Sequence, residues 1–175
     1  PCNRNYNTHG IMKDFQLDLS VIVCCYNSAQ RIRPTLEHLA KQKTTTSLKW
    51  EVIIVDNNSV DGTSELVLQI WEELKSKIDI KVVCEYNSGL SNNKKKGIAS
   101  ANGEILIFCD DDNWLDENYI QIAYDLMLEN CHIGMLGGIG VEVIDGKKPT
   151  WFENVKLAYA VGPQNVIDGD VTRKK

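Results

Sequence analysis

Three consecutive aspartates, Asp110 to Asp112, directly follow the apolar run Ile105–Cys109. Three adjacent carboxylates repel one another near a low-dielectric core, and a bound divalent cation removes that repulsion. If the backbone stays extended, Asp110 and Asp112 point to the same side and could share one Mg²⁺ or Mn²⁺, which would also bind a diphosphate. The alternative is a solvated acidic turn that caps the next helix, a role for which Asp116 is better placed. We therefore expect a divalent cation at this acid triplet.

Polar residues also follow the first two apolar runs of the chain. Tyr26 and Asn27 come after the first run, and Asp56 and Asn58 lie in the Asp-Asn-Asn turn after the second. Because ligands of open α/β sheets bind beyond the carboxyl ends of the strands, these side chains converge where a nucleotide would lie. Tyr26 could stack on a nucleobase, and Asp56 could accept a hydrogen bond from a base or ribose. The alternatives are ordinary packing for Tyr26 and a simple turn for Asp56.

A run of three lysines, Lys94 to Lys96, precedes Gly97. One of them could approach a diphosphate, although a charge run is usually a solvated face. Other nucleotide-binding signatures are absent, since the sequence has neither a GxxxxGK[ST] loop nor a GxGxxG after the first apolar run. The histidines are scattered and no Ser or Cys motif surrounds them, so a hydrolase triad has no support.

The elements that must position these residues alternate along the chain. Four apolar runs are typical of strands buried on both faces: Leu19–Cys25, Trp50–Val55, Ile80–Cys84 and Ile105–Cys109. Helices are expected between them over 32–40, 63–74 and 90–101, and after an N-cap at Asp116. Two further strands are expected at Ile133–Leu136 and Val141–Ile144. This alternation predicts an α/β fold with a doubly wound, mostly parallel sheet.

Composition limits the class of protein further. With 43% hydrophobic and 25% charged residues in 175, the chain is an ordinary globular domain. A net charge of −5 argues against nucleic acid as a partner, because nucleic acids bind basic surfaces. The apolar runs are far shorter than the ~20 residues of a membrane helix. Six cysteines without a CxxC pair favour a reduced, cytosolic protein.

Four motifs, in order along the chain, resemble those of the family 2 glycosyltransferases. They are Ser20-Val-Ile-Val-Cys-Cys-Tyr-Asn27, the segment from Glu51 to Thr63, Asn87-Ser-Gly-Leu-Ser91, and the segment from Gly103 to Asp112. The resemblance implies the GT-A fold, an inverting reaction and a nucleotide-diphosphate sugar as the donor.

The resemblance also implies roles for individual residues. Tyr26 and Asp56 would hold the nucleobase, and Asp111 would lie near the ribose. Asp110 and Asp112 would be the metal-binding pair of the family's DxD motif.

The donor-binding segments also depart from the family pattern. Cys24 and Cys25 replace the usual Pro-Thr or similar pair, and Asn93 and Lys95 replace the commoner Ala and Asn. Lys94 stands where the family often has a basic residue, so this lysine is expected to face the donor.

The resemblance does not identify a catalytic base in this chain. In the family the base is an acidic residue well downstream of the metal motif, and the carboxylates found there, Asp168 and Asp170, lie in a loop-like sequence. We assign neither of them. We interpret 1–17 as a polar lead-in or tag remnant, 18–145 as the nucleotide-sugar-binding domain, and 146–175 as the start of an incomplete acceptor-side region.

These observations predict a metal-assisted, inverting glycosyltransferase that acts on a sugar or lipid-linked sugar acceptor in polysaccharide or glycolipid synthesis. Peripheral association with the inner face of a membrane stays open, although no amphipathic basic helix is evident. Two alternatives remain. One is a non-catalytic nucleotide-sugar-binding module. The other is a nucleotidylyltransferase, which would normally carry a Gly-rich loop with Arg and Lys after the first strand.

Overall fold

A computed structural model describes residues 15–144, 146–159 and 162 of the chain. In chain order its elements are β1 (Leu17–Cys25), α1 (Ile32–Ala40), β2 (Trp50–Asp56), α2 (Thr63–Leu74), β3 (Asp79–Cys84), α3 (Leu90–Ser100), β4 (Gly103–Asp110), α4 (Tyr119–Glu129), α5 (Phe152–Val155) and a 3₁₀ turn (Lys156–Tyr159). Asp168 and Asp170, like most of the predicted lead-in, lie outside the described residues.

The four strands form one parallel sheet in the order β3-β2-β1-β4. The connections through α1 and α2 run in one direction across the sheet, and the connection through α3 reverses it. Right-handed crossovers therefore place α3 on the opposite face from α1 and α2. The predicted α/β fold with a doubly wound parallel sheet is confirmed, and its chain reversal falls between β1 and β4, where such folds bind ligands.

The core lies at the two central strands, β1 and β2. Every residue of β2 is buried, as its continuous apolar run predicts. On one face, α3 packs closely against the sheet at Gly97, where an added Cβ would lie 2.5 Å from Cγ2 of Ile22. This glycine lets the start of α3 reach the carboxyl ends of the strands. The edge strand β4 instead alternates buried and exposed residues.

A buried carboxylate joins the strands near the opposite end of the sheet. Glu51 accepts hydrogen bonds from the Ser20 hydroxyl and the Asn102 backbone N–H, both at 2.8 Å. Its second oxygen lies 2.8 Å from Nζ of Lys81 on β3. Burial by itself would raise the pKa of Glu51, but the bonds from Lys81, Asn102 and Ser20 outweigh burial and hold the pKa below its usual value.

Three local predictions were wrong. The expected strands at Ile133–Leu136 and Val141–Ile144 are absent, and the one pairing in that part of the described chain is an isolated antiparallel bridge between Gly140 and Gly162. Their apolar residues are largely exposed, so apolar composition there does not reflect burial in a sheet. The N-cap of α4 is Asn118 rather than Asp116, because the backbone N–H of Tyr119 bonds to the Asp116 carbonyl in a preceding turn.

The chain divides into two compact units, one ending at His132 and the other beginning at Ile133. The sheet belongs to the first unit. Described residues of the second include α5 and ion pairs from Lys148 to Glu142 and Glu153. The predicted domain boundary at residue 145 stays a prediction.

None of the helices in the described ranges has both the length and the apolar content that a membrane crossing needs.

Candidate functional site

A cleft of about 570 Å³ opens at the carboxyl ends of the strands, within the first unit. The lining residues come from strand ends and from the starts of helices: Cys24–Tyr26 at the end of β1, Arg31 before α1, Asn57 after β2, Ser88–Leu90 and Asn93 at the start of α3, and Asp110–Asp112 at the end of β4. Four predicted site residues are therefore brought together: Tyr26 and the three aspartates. The other four, Asn27, Asp56, Asn58 and Lys94, are not among the lining residues.

Asp111 is buried and tied to the segment that precedes α1. Its carboxylate accepts a hydrogen bond from the Ser28 hydroxyl and lies 2.7 Å from Nη2 of Arg31. Its carbonyl accepts a hydrogen bond of 2.9 Å from the Thr35 hydroxyl. The bond to Asp111 raises the pKa of Arg31 above its usual value, so the guanidinium stays charged. The central aspartate of the triplet thus has a positive partner within the protein.

Asp110 and Asp112 are both exposed, and the backbone between them is not extended as predicted. β4 ends at Asp110, and a turn follows in which the Asn113 N–H donates to the Asp110 carbonyl at 3.1 Å. The local reason is the set of contacts that draw Asp111 inward and bend the chain. Both outer carboxylates nevertheless line the same cleft.

These two carboxylates fit one divalent cation of the kind that takes its remaining ligands from substrate and water. In the described part of the chain, no group of three or more His, Cys, Asp or Glu side chains gathers as a ligand set. Mg²⁺ is commonly held by one or two carboxylates together with substrate phosphates. Asp111 is engaged by Arg31, whereas Asp110 and Asp112 have no ion pair among the described residues, so these two are the carboxylates that would hold such a cation.

Tyr26 presents its side chain to solvent beside the cleft, with 60% of the residue exposed. Its backbone is held in place, because its N–H donates to the Ser28 hydroxyl at 3.1 Å and its carbonyl accepts from Nη2 of Arg31 at 3.0 Å. Nη1 of Arg31 donates to the Asn27 carbonyl at 3.1 Å. Arg31 therefore connects the segment that carries Tyr26 to the acid triplet.

The predicted residues outside the lining shape the turns around it. Asp56 is buried, and its carboxylate accepts hydrogen bonds from the Ser59 N–H and the Ser64 hydroxyl. Asn27 and Asn58 have left-handed φ values of 48° and 60°, which asparagine tolerates better than most residues. The Asn27 amide oxygen also accepts from the Val60 N–H at 3.0 Å, so the turns after β1 and β2 are joined.

Lys94 lies on α3, and the adjacent Cys24 and Cys25 lie at the end of β1. Nζ of Lys94 is 5.5 Å from the ring centroid of Phe108, which holds the amine over β4 rather than in the cleft lining. Burial raises the pKa of Cys24 to about 11 and raises that of Cys25 even further. Both residues are therefore neutral thiols and not nucleophiles.

Three residues that the sequence analysis did not select contribute to the site: Arg31, Asn57 and Asn93. The Asn57 side chain donates to the carbonyls of Glu85 and Asn87 at 2.8 Å and accepts from the Gly89 N–H at 2.9 Å. It thereby fixes the loop that begins α3. Asn57 stands in a motif that the sequence analysis quoted. The charged partner of Arg31 is Asp111, 80 residues away, and the partners of Asn93 are also distant in sequence, so these contacts left no local signal.

The doubly wound parallel sheet, with a cleft at its switch point lined by an aromatic residue and an acid triplet, matches the architecture of GT-A glycosyltransferase structures. The profile described as "Glycosyl transferase family 2" matches residues 20–169. The chain belongs to this family, as its motifs predicted.

The chain is also similar to three named proteins. The cholesterol galactosyltransferase of Borreliella burgdorferi is 34% identical over 109 residues. The crystal structure of S. aureus TarS 1-349 in complex with UDP superposes with a TM-score of 0.61 at 30% identity, over 76% of this chain. The mannosyltransferase PcManGT from Pyrobaculum calidifontis, in complex with GDP-Man and Mn2+, superposes with a TM-score of 0.56 at 27% identity, over 81% of this chain.

The chain spans only part of each of these proteins. Its match covers 28% of the galactosyltransferase, 38% of the TarS chain and 41% of the PcManGT chain. In the galactosyltransferase comparison the aligned residues make up 61% of this chain.

Proposed function

We propose that this chain binds a nucleotide-diphosphate sugar and serves its metal-assisted transfer, with inversion, to an acceptor hydroxyl. The observation that carries the proposal is the single cleft that brings Tyr26 at the end of β1 together with Asp110–Asp112 at the end of β4. An aromatic ring suits a base, and carboxylates suit a cation that neutralises a diphosphate. Membership of the family supports the same assignment.

Each part of the donor has candidate residues. Tyr26 stacks on the base, and Asp56 lies under the base end of the site, where Asn27 and Asn58 shape the turns. Asp111 accepts from the ribose with the carboxylate oxygen that Arg31 and Ser28 leave free. Lys94 adds positive charge on the α3 side, where its amine faces Phe108 and can swing toward a bound diphosphate.

Asp110 and Asp112 are the residues that would hold Mg²⁺ or Mn²⁺. When bound, the cation neutralises the donor diphosphate and stabilises the leaving group as negative charge develops. The Mn2+ in the PcManGT complex supports this choice of cofactor. Arg31 contributes by compensating the charge of Asp111, so the outer two carboxylates remain available.

The relatives support a choice of donor nucleotide and of acceptor. TarS is described with UDP and PcManGT with GDP-Man, and both of those bases carry an imide N–H. The names of the galactosyltransferase and of TarS, a poly(ribitol-phosphate) beta-N-acetylglucosaminyltransferase, support glycolipid or polysaccharide acceptors.

We propose residues 18–145 as the donor-binding domain and 146–175 as the start of the acceptor side, in a cytoplasmic protein that can associate with a membrane surface.

The test is thermal stabilisation by a panel of nucleoside diphosphates, with and without Mn²⁺. A ligand at 100 times its dissociation constant adds about 2.7 kcal/mol to the free energy of unfolding. We expect a shift for one base that requires Mn²⁺ and is lost in Asp112→Ala. Asp125→Ala, which removes an exposed carboxylate on α4, is the matched control and should keep the shift. If no nucleoside diphosphate shifts the transition in the presence of Mn²⁺, the proposed function is wrong.

A further inference from the structure

The amide of Asn93 lies in the first turn of α3, 3% exposed, and is one of the residues that line the cleft. Its Nδ2 faces the carbonyl of Cys25 at 3.4 Å and that of Val55 at 3.5 Å. Because both neighbours are acceptors, the nitrogen must be the atom that faces them. The orientation of the amide is thereby determined, and Oδ1 is directed away from the two strands.

Oδ1 of Asn93 is buried and has no hydrogen-bond partner; across the residues that the structure describes, it is the single buried side-chain nitrogen or oxygen atom in this condition. Buried polar side-chain atoms are nearly always paired, and an unpaired one is destabilising. An N–H donor from a molecule bound in the cleft would satisfy this oxygen.

The neighbours of Asn93 indicate which part of the donor reaches it. Cys25 and Val55 directly precede Tyr26 and Asp56, the two residues that the proposed function assigns to the base. Asp111 lies beyond β4, on the other side of β1. Asn93 is therefore at the base end of the cleft, away from the acid triplet.

We propose that Asn93 is a specificity-determining residue whose Oδ1 accepts a hydrogen bond from the imide N–H of the nucleobase, N3–H in uracil or N1–H in guanine. Cytosine and adenine present a ring nitrogen with a lone pair at the corresponding position, and two acceptors repel each other. The inference rests on the proposed function and deepens it, since it selects UDP- or GDP-type donors over CDP- or ADP-type donors.

The sharpest probe is a pair of ligands that differ at that one atom, UDP and 3-methyluridine diphosphate, which lacks the N–H. Dissociation constants are measured by calorimetry with Mn²⁺ for the whole chain, for Asn93→Ala, and for the control Asn92→Ala. The Asn92 amide is the adjacent one and donates to the Ser88 carbonyl. We expect the unmodified chain and Asn92→Ala to prefer UDP by about tenfold or more, the scale of one buried hydrogen bond. In Asn93→Ala the ratio should fall close to one.

Two results overturn the inference while leaving the proposed function intact. One is equal binding of UDP and its 3-methyl analogue by the unmodified chain, together with equal binding of GDP and 1-methylguanosine diphosphate; this comparison needs no variant to fold. The other is an Asn93→Ala protein that binds with Mn²⁺ and keeps the tenfold preference, which would place the discrimination elsewhere. If no nucleoside diphosphate binds the unmodified chain with Mn²⁺, the proposed function fails and the inference fails with it.

Discussion

Nη2 of Arg31 lies 2.7 Å from Oδ2 of Asp111, across the cleft floor between the start of α1 and the end of β4. The same guanidinium donates to the carbonyls of Tyr26 and Asn27. One side chain thus neutralises the central aspartate of the triplet and holds the segment that carries the exposed tyrosine. The three aspartates are consequently not equivalent, since within the described part of the chain Asp111 has an ion pair and Asp110 and Asp112 have none.

Replacing Arg31 should both weaken nucleotide binding and destabilise the fold. Arg31→Ala leaves Asp111 buried without its cation and releases the Tyr26 backbone. We expect about a tenfold loss of nucleoside diphosphate affinity in calorimetry with Mn²⁺, and a loss of about 1–2 kcal/mol in urea unfolding, because the guanidinium is half exposed. The control is Arg33→Ala, whose side chain pairs with Glu73 on the surface. Equal losses in both variants would contradict the assignment to Arg31.

Removing one outer carboxylate should abolish the effect of the metal and leave the fold intact. Asp110 is exposed, so Asp110→Asn should change the free energy of unfolding by less than about 0.5 kcal/mol. The same variant should lose the part of the nucleotide affinity that EDTA removes from the unmodified chain. Calorimetric titrations with Mn²⁺ and with EDTA measure the nucleotide affinity in the presence and in the absence of the metal. An Asp110→Asn protein that still responds to Mn²⁺ as the unmodified chain does would exclude Asp110 as a ligand.

Stability should fall in acid because of Glu51. Its pKa is lower in the folded state than in the unfolded chain, so its contribution is present above the ordinary glutamate pKa of about 4.5 and is lost as the pH falls through the folded value. Glu51→Gln should cost about 1–3 kcal/mol at pH 7, since it leaves Lys81 without its partner, and should make stability less dependent on pH below about 4.5.

Urea unfolding at pH 7 and pH 3.5 measures this dependence. The matched control is Glu72→Gln, on the exposed face of α2, which should follow the unmodified chain at both values. If Glu51→Gln and the unmodified chain lose the same free energy between those pH values, the buried network is not the source of acid sensitivity.

Adding one methyl group at Gly97 should destabilise the fold although alanine favours helices. The new Cβ would lie 2.5 Å from Cγ2 of Ile22 and 3.3 Å from Val55, so α3 must move away from the sheet. We expect Gly97→Ala to cost about 1–3 kcal/mol in thermal or urea unfolding. Gly134→Ala is the control, because an added Cβ there meets nothing within 4 Å. A Gly97→Ala protein as stable as the control would mean that α3 packs less closely than described.

The strands of the sheet were predictable because burial on both faces leaves a continuous apolar run. Trp50–Val55 is such a run, and the observed strand β2 ends only one residue later, at Asp56. The same criterion failed at Ile133–Leu136, where apolar residues are present but no strand among the described residues pairs with them. A run of apolar residues reports the composition of a segment, whereas a strand also requires a hydrogen-bonding partner.

By itself, the sequence determined the βαβ alternation, the family and the position of an acid triplet and a tyrosine at strand ends, because each of these depends on residues close together in the chain. Only the tertiary structure decided that Arg31 pairs with Asp111, that Asp111 turns inward, and that the Asn93 oxygen is left without a partner. Those contacts depend on the order and register of β1, β2 and β4. Sheet order brings distant residues to one edge, and side-chain pairing across that edge leaves no local pattern in the chain.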